Sequence, residues 1–72
     1  MASFADNLKF YREQRNLTQE ELALKARLGT AVIEKYESGE QFPNTETIFK
    51  LSTILDVPAS SLGETGIISR GD

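Results

Sequence analysis

Helix-stopping and helix-starting signals recur so closely along this chain that only short helices fit between them. Residues 4–15, FADNLKFYREQR, put Phe4, Leu8, Tyr11 and Arg15 at three- and four-residue steps, the spacing of one helical face. Asn16 tolerates the left-handed backbone that ends many helices. Thr18-Gln19-Glu20-Glu21 then has the pattern of a capping box. In it the Thr18 hydroxyl accepts from the Glu21 N–H and the Glu21 carboxylate accepts from the Thr18 N–H. Leu22, Ala23 and Ala26 give this second helix, roughly 18–26, a narrow apolar face of mostly small side chains that a neighbour can cross closely. Gly29 is unfavourable inside a helix but suits an N-cap or a turn. The third helix, about 30–37, follows with Ile33 and Tyr36 inward and Leu28 entering the core just before it. Ser38-Gly39 ends it, and Pro43 bars continuation. Asn44 caps a fourth helix, about 45–56, whose buried stripe is Ile48, Leu51, Ile54 and Leu55. Val57-Pro58 opens a last turn of helix with Leu62 inward, and Gly63 closes it. With no strand pair and no repeat, the expected fold is all-α: a compact five-helix domain over residues 1–63, with 64–72 as a flexible tail or the start of a linker.

A chain of 72 residues has one modest core, and a domain this small buries only about 60% of its unfolded surface. It has no Cys, so neither a disulfide nor a thiolate metal site supports it. A second subunit is the natural alternative source of stability. It has no His either, which removes the commonest general base and the commonest metal ligand. No carboxylates or hydroxyls cluster as a nucleophile and its base. We therefore expect no enzyme, no cofactor and no metal. No stretch is apolar for long enough to cross a bilayer, and no signal-like segment opens the chain, so the expected setting is cytoplasmic.

Two short helices joined by a tight turn containing Gly form a helix-turn-helix, here from Thr18 to Ser38. In that motif the first helix crosses a phosphate backbone and the second presents its N-terminal residues to base edges in the major groove. The pieces LKFYREQRNLTQEELA (8–23), IEKYESG (33–39), Pro43-Asn44 and ETIFKLSTILDVPASSL (46–62) resemble, in order and without a gap, the Cro/CI-type (Xre-like) helix-turn-helix regulators. That resemblance implies a lambda-repressor-like DNA-binding domain. The function implied is a transcriptional regulator, in the first instance a repressor, binding a palindromic operator as a homodimer with its third helix in the major groove. It places Gln19 against the phosphate backbone or an adjacent base. Thr30, Ala31, Val32, Glu34 and Lys35 fall on the exposed face of the recognition helix, and Gly29 and Ser38 at its ends. Thr18 and Asn44 are first of all helix caps, and the free N–H groups of the helices they open can also face a phosphate. Arg12 and Glu37 match a family ion pair that pins the first helix to the end of the third. The region of Val57, Pro58, Ser61 and Leu62 matches the dimer interface. The chain departs from the family at Arg27, where Gly is usual in the turn, at Gly29 in place of a capping Ser or Thr, at Ala31-Val32 in place of polar readers, and at Glu40, a position often basic.

Charge pulls the other way. The chain carries a formal net charge of −3, whereas phosphate recognition favours Lys and Arg. Residues 18–39 hold Lys25, Arg27 and Lys35 against Glu20, Glu21, Glu34 and Glu37. DNA binding needs some of these acids occupied. Glu21 has its cap and Glu37 its arginine, while Glu34 is either a solvated helix residue or an acceptor for a cytosine amino group. The alternative function is a protein-interaction module, or a regulator dependent on a partner protein or a further C-terminal domain, built on the same fold. Phe42 and the tail pair Ile67-Ile68 are apolar residues in polar surroundings, either loop packing or contact surface.

Overall fold

The computed structural model describes residues 3–62. It has five helices: α1 (Phe4–Gln14), α2 (Gln19–Ala26), α3 (Thr30–Ser38), α4 (Thr45–Leu55) and α5 (Ala59–Leu62). No strand occurs among the described residues. The all-α five-helix architecture is as expected, with boundaries displaced by a residue or so. Gly63 and the tail 64–72 lie outside the described residues.

The helix ends follow from local chemistry. At α2 the Thr18 Oγ1 accepts from the Glu21 N–H at 3.0 Å, and the Glu21 carboxylate accepts from the Thr18 N–H at 2.8 Å. Asn44 caps α4, its Oδ1 accepting from the Thr47 N–H at 2.8 Å. A second capping box, not expected from the sequence, starts α1 and joins Ser3 to Asp6. Left-handed backbone marks the exits: Asn16 at φ 58°, Arg27 at 58°, Asp56 at 59° and Gly39 at 87°.

The largest completely enclosed side chains among the described residues are Leu8, Leu22, Ile33, Ile48, Leu51, Leu55 and Leu62. Phe4 and Tyr36 join them, edge to face with centroids 6.0 Å apart. α3 packs across both α2 and α1, and Ala23 and Ala26 are buried on the face of α2 that allows this. Three expectations are corrected here. The inward face of α1 is Phe4, Leu8 and Arg12, with Tyr11 half-buried. Arg15 is exposed instead, its Nε donating to the Leu55 carbonyl at 2.8 Å and Nη2 to that of Asp56 at 3.2 Å. That places a cation at the C-terminal end of α4, where the helix dipole favours one. Ile54 is half-buried rather than enclosed.

Polar ties over long sequence distances close the bundle. Asn7 Nδ2 donates to the Leu62 carbonyl at 2.6 Å, joining the first turn of α1 to the end of α5. Lys50 Nζ donates to the Ala26 carbonyl at 3.1 Å, so α4 satisfies the C-terminus of α2 just before the turn. Among the described residues no buried side-chain nitrogen or oxygen lacks a partner.

Candidate nucleic-acid interface

The turn between α2 and α3 fixes how α3 is presented. Arg27 takes the left-handed conformation at φ 58°, ψ 42°. A side chain there costs roughly 1–2 kcal/mol relative to ordinary helical backbone. The Leu28 N–H returns to the Ala23 carbonyl at 2.8 Å. Gly29 then enters α3 in extended backbone and supplies no capping side chain. The first N–H groups of α3 are thus left without a side-chain acceptor, a local positive end.

Four residues of α3 are exposed: Ala31, Glu34, Lys35 and Ser38. They lie opposite Ile33 and Tyr36 on a helix of 3.6 residues per turn. Thr30 and Val32, read from the sequence as exposed, are half-buried, and Val32 packs against the core. The Ser38 hydroxyl donates to the Lys35 carbonyl at 3.1 Å and accepts from the Glu40 N–H at 3.3 Å. It therefore closes the helix as well as lying on its outer face. Thr18 and Asn44 spend their acceptor oxygens on their own helix caps.

Behind that face, three helices meet at one carboxylate. Glu37 Oε2 accepts from Arg12 Nε at 2.6 Å, and Oε1 accepts from Arg12 Nη2 at 3.1 Å and from Gln19 Nε2 at 3.0 Å. The side chains of Arg12 and Glu37 are 10% and 5% exposed. Arg12 Nη1 also donates to the Leu17 carbonyl at 2.7 Å, which ties the α1–α2 connection to the same group. The hydrogen bonds to Glu37 hold the Arg12 guanidinium more firmly protonated than a free arginine, and burial opposes that only in part. Sequence reading placed Gln19 toward DNA but gave no hint of this inward partner, because nothing local marks a contact 18 residues away.

The acidity of the segment looks different once partners are assigned. Glu21 and Glu37 are both occupied as acceptors within the fold. Among the described residues, Glu20 and Glu34 are in no ion pair, and neither are Lys25, Arg27 and Lys35. Gln19, Glu34, Ser38 and Lys9 line one open cleft where α1, α2 and α3 converge. Lys9 was not singled out from the sequence, since an exposed lysine on α1 carries no local signal. Of the residues expected at a dimer contact, Val57 and Ser61 are half-buried and Pro58 is exposed, beside α5. Leu62 is fully buried in the core and has no surface to offer a second subunit. Phe42 stacks edge to face on Phe4 at 5.2 Å while remaining 58% exposed. Among the described residues no helix is long and apolar enough to cross a membrane, and no acidic cluster is placed to hold a metal.

The fold and its relatives agree. The family model described as helix-turn-helix matches residues 8–62. The uncharacterized HTH-type transcriptional regulator YqaE of Bacillus subtilis is 39% identical over 54 residues, covering 75% of this chain and 47% of that protein. The cryptic phage CTXphi transcriptional repressor RstR of Vibrio cholerae is 36% identical over 59 residues, covering 82% of this chain and 53% of that protein. The chain therefore spans about half the length of these curated relatives. Among solved structures, the restriction-modification controller protein C.AhdI of Aeromonas hydrophila superposes with a TM-score of 0.78 at 30% identity, covering 82% of this chain and 89% of that one. With the two-helix motif, its core and its turn in place, the chain belongs to the helix-turn-helix family of Cro/CI-like (Xre-type) DNA-binding transcriptional regulators, a family of regulators and not of enzymes.

Proposed function

We propose that this domain binds double-stranded DNA sequence-specifically, with α3 in the major groove, and represses transcription as a homodimer on a palindromic operator. The observation that carries the reading is the outer face of α3. Ala31, Glu34 and Lys35 are exposed on a helix whose opposite face is locked into the core, while Glu21 and Glu37, two of the motif's four acids, are occupied internally. A rigid helix with a free face is what the major groove admits. Lys25, Arg27, Lys35 and Lys9 supply cations for flanking phosphates. Gly29 leaves the start of α3 open to an anion, and Thr18 and Asn44 order the N-termini of α2 and α4.

One such helix reads only a few base pairs, so two copies about 34 Å apart on successive grooves would supply the specificity. Val57, Pro58 and Ser61 are the surface residues through which a second copy would pair. Repression is favoured by the likeness to RstR, a phage repressor. A cytoplasmic location fits the same reading.

The test is duplex binding as a function of salt. If about 4–6 phosphates are neutralised, log K falls linearly with log salt at about −0.9 per phosphate. No binding to any duplex at low salt would overturn the proposal. A second reading, docking to a regulatory protein, is favoured by one observation: Leu24 on α2 is 80% exposed, beside Glu20 and Glu21. Substitution of Leu24 by Ser that abolishes regulation in cells, with duplex binding unchanged, would support that second role.

A further inference from the structure

We infer that the groove-facing edge shared by α2 and α3 is built of hydrogen-bond acceptors, so that it selects bases carrying an exocyclic amino group, and that Glu37 is the positioning residue that makes it so. The inference rests on the DNA-binding reading above and specifies the chemistry of that same site.

The Glu37 carboxylate has no proton to give. A carboxamide beside it must turn its nitrogen inward, and Gln19 Nε2 does so at 3.0 Å from Glu37 Oε1. Free glutamine presents oxygen or nitrogen with equal ease. Here the choice is fixed, because Arg12 holds Glu37 from the other side through Nε at 2.6 Å and Nη2 at 3.1 Å. The oxygen of Gln19 and its second N–H are therefore left free, with the oxygen as its only acceptor. Glu34 lines the same cleft, is exposed, and is in no ion pair among the described residues. Its carboxylate is an acceptor too. Two acceptors from two helices thus border one opening, in which Arg12 is already held by Glu37, Ser38 by the Lys35 carbonyl, and Lys9 lies on the α1 side.

In the major groove the donors are the N4 amino group of cytosine and the N6 amino group of adenine. Guanine offers O6 and N7, and thymine offers O4, all acceptors. Acceptor against acceptor leaves both unpaired in a desolvated contact, which is more costly than a missing attraction. Glu34 therefore selects cytosine, whose edge has no adjacent acceptor. Gln19, which keeps one N–H, selects cytosine or adenine on the strand it faces. The acidity that weighs against binding in bulk becomes the source of discrimination at these two positions.

The experiment is selection of sites from random duplex DNA at fixed salt, run on the intact chain and on Gln19→Ala, Glu34→Ala and Glu37→Gln. The intact chain is expected to enrich cytosine at one position of each half-site and cytosine or adenine at a second. Glu34→Ala relaxes the first and Gln19→Ala the second, each by about tenfold. Glu37→Gln relaxes the Gln19 position and leaves the Glu34 position unchanged, a pattern that a merely structural role for Glu37 would not produce. Gln19→Ala leaves the Arg12–Glu37 pair intact, so it tests the acceptor assignment at Gln19 even if Glu37→Gln does not fold. Enrichment of guanine or thymine at these positions, or an unchanged profile in Gln19→Ala, would overturn the inference. Binding with some other preference overturns only this acceptor assignment, whereas failure of the intact chain to bind any duplex overturns the proposed function beneath it.

Discussion

The two faces of α3 obey different rules. On the inner face, Ile33 is completely enclosed, Tyr36 meets Phe4, and both carboxylate oxygens of Glu37 accept from Arg12 or Gln19. On the outer face, Ala31, Glu34 and Lys35 are exposed, and neither charged side chain has an ionic partner among the described residues. The same nine residues therefore hold the fold on one side and leave the other side free for a ligand. The lesson is about where variation is tolerated. A change on the inner face disturbs three helices, while a change at Ala31, Glu34 or Lys35 breaks no contact between helices, so specificity can be rewritten there at little cost to folding.

The largest effect is expected where the inner face is broken. Glu37→Ala strands the buried Arg12 guanidinium and frees Gln19, and should cost about 3 kcal/mol. In a domain this small that lowers the thermal midpoint by more than about 10 °C. A midpoint unchanged from the intact protein would show that the two faces are not so different. The outer face is tested by Lys35→Ala. Stability should move by no more than about 0.5 kcal/mol, while duplex binding weakens by about 1–3 kcal/mol. Thermal melting and a titration on the same sample separate the two responses.

A smaller effect sharpens the comparison at the hinge between scaffold and reader. Arg27 holds a left-handed backbone at φ 58° that Gly39 adopts at φ 87° after α3 without a side chain. Arg27→Gly should relieve that strain and stabilise the domain by about 1 kcal/mol, read as a shift in urea midpoint at constant slope. A destabilised Arg27→Gly would mean that the arginine side chain makes a contact worth more than the strain. The smallest effect is expected from pH. Because the Arg12 pKa is raised in the fold, its contribution is fully present below the unfolded arginine value and is lost only as pH rises through the still higher folded one. From neutral to mildly alkaline pH, melting should show no loss attributable to this pair.

What could be read in the sequence was local. The Thr18–Glu21 box, the Asn44 cap and the left-handed exits at Asn16 and Gly39 involve residues within four positions of one another, and each stands where it was expected. The Ser3–Asp6 box carries the same kind of local signal, a Ser three residues before an acid. The polar ties were not legible. Asn7 to Leu62, Arg15 to Leu55 and Lys50 to Ala26 join side chains far apart in sequence to backbone carbonyls whose availability depends on the folded geometry. Arg12 illustrates the limit on α1. An arginine is a poor candidate for an inward position until its partner on α3 is known, and hydrophobic spacing passed over it in favour of Tyr11 and Arg15. At the reading face, the family resemblance identified Ala31, Glu34 and Lys35 as exposed. It misjudged Val32, because which edge of a narrow stripe packs on the core is set by the neighbouring helices.

The central claim is that the outer face of α3, with Gln19 beside it, is where DNA is met. The most direct measurement is a backbone amide NMR titration with a duplex recovered by site selection. The amides of Gln19, Thr30, Ala31, Glu34 and Lys35 should show the largest shifts, fading as salt is raised, while those of Leu51 and Leu55 in α4 stay in place. Shifts centred on Leu24 or Phe49 instead, or none at low salt, would contradict it.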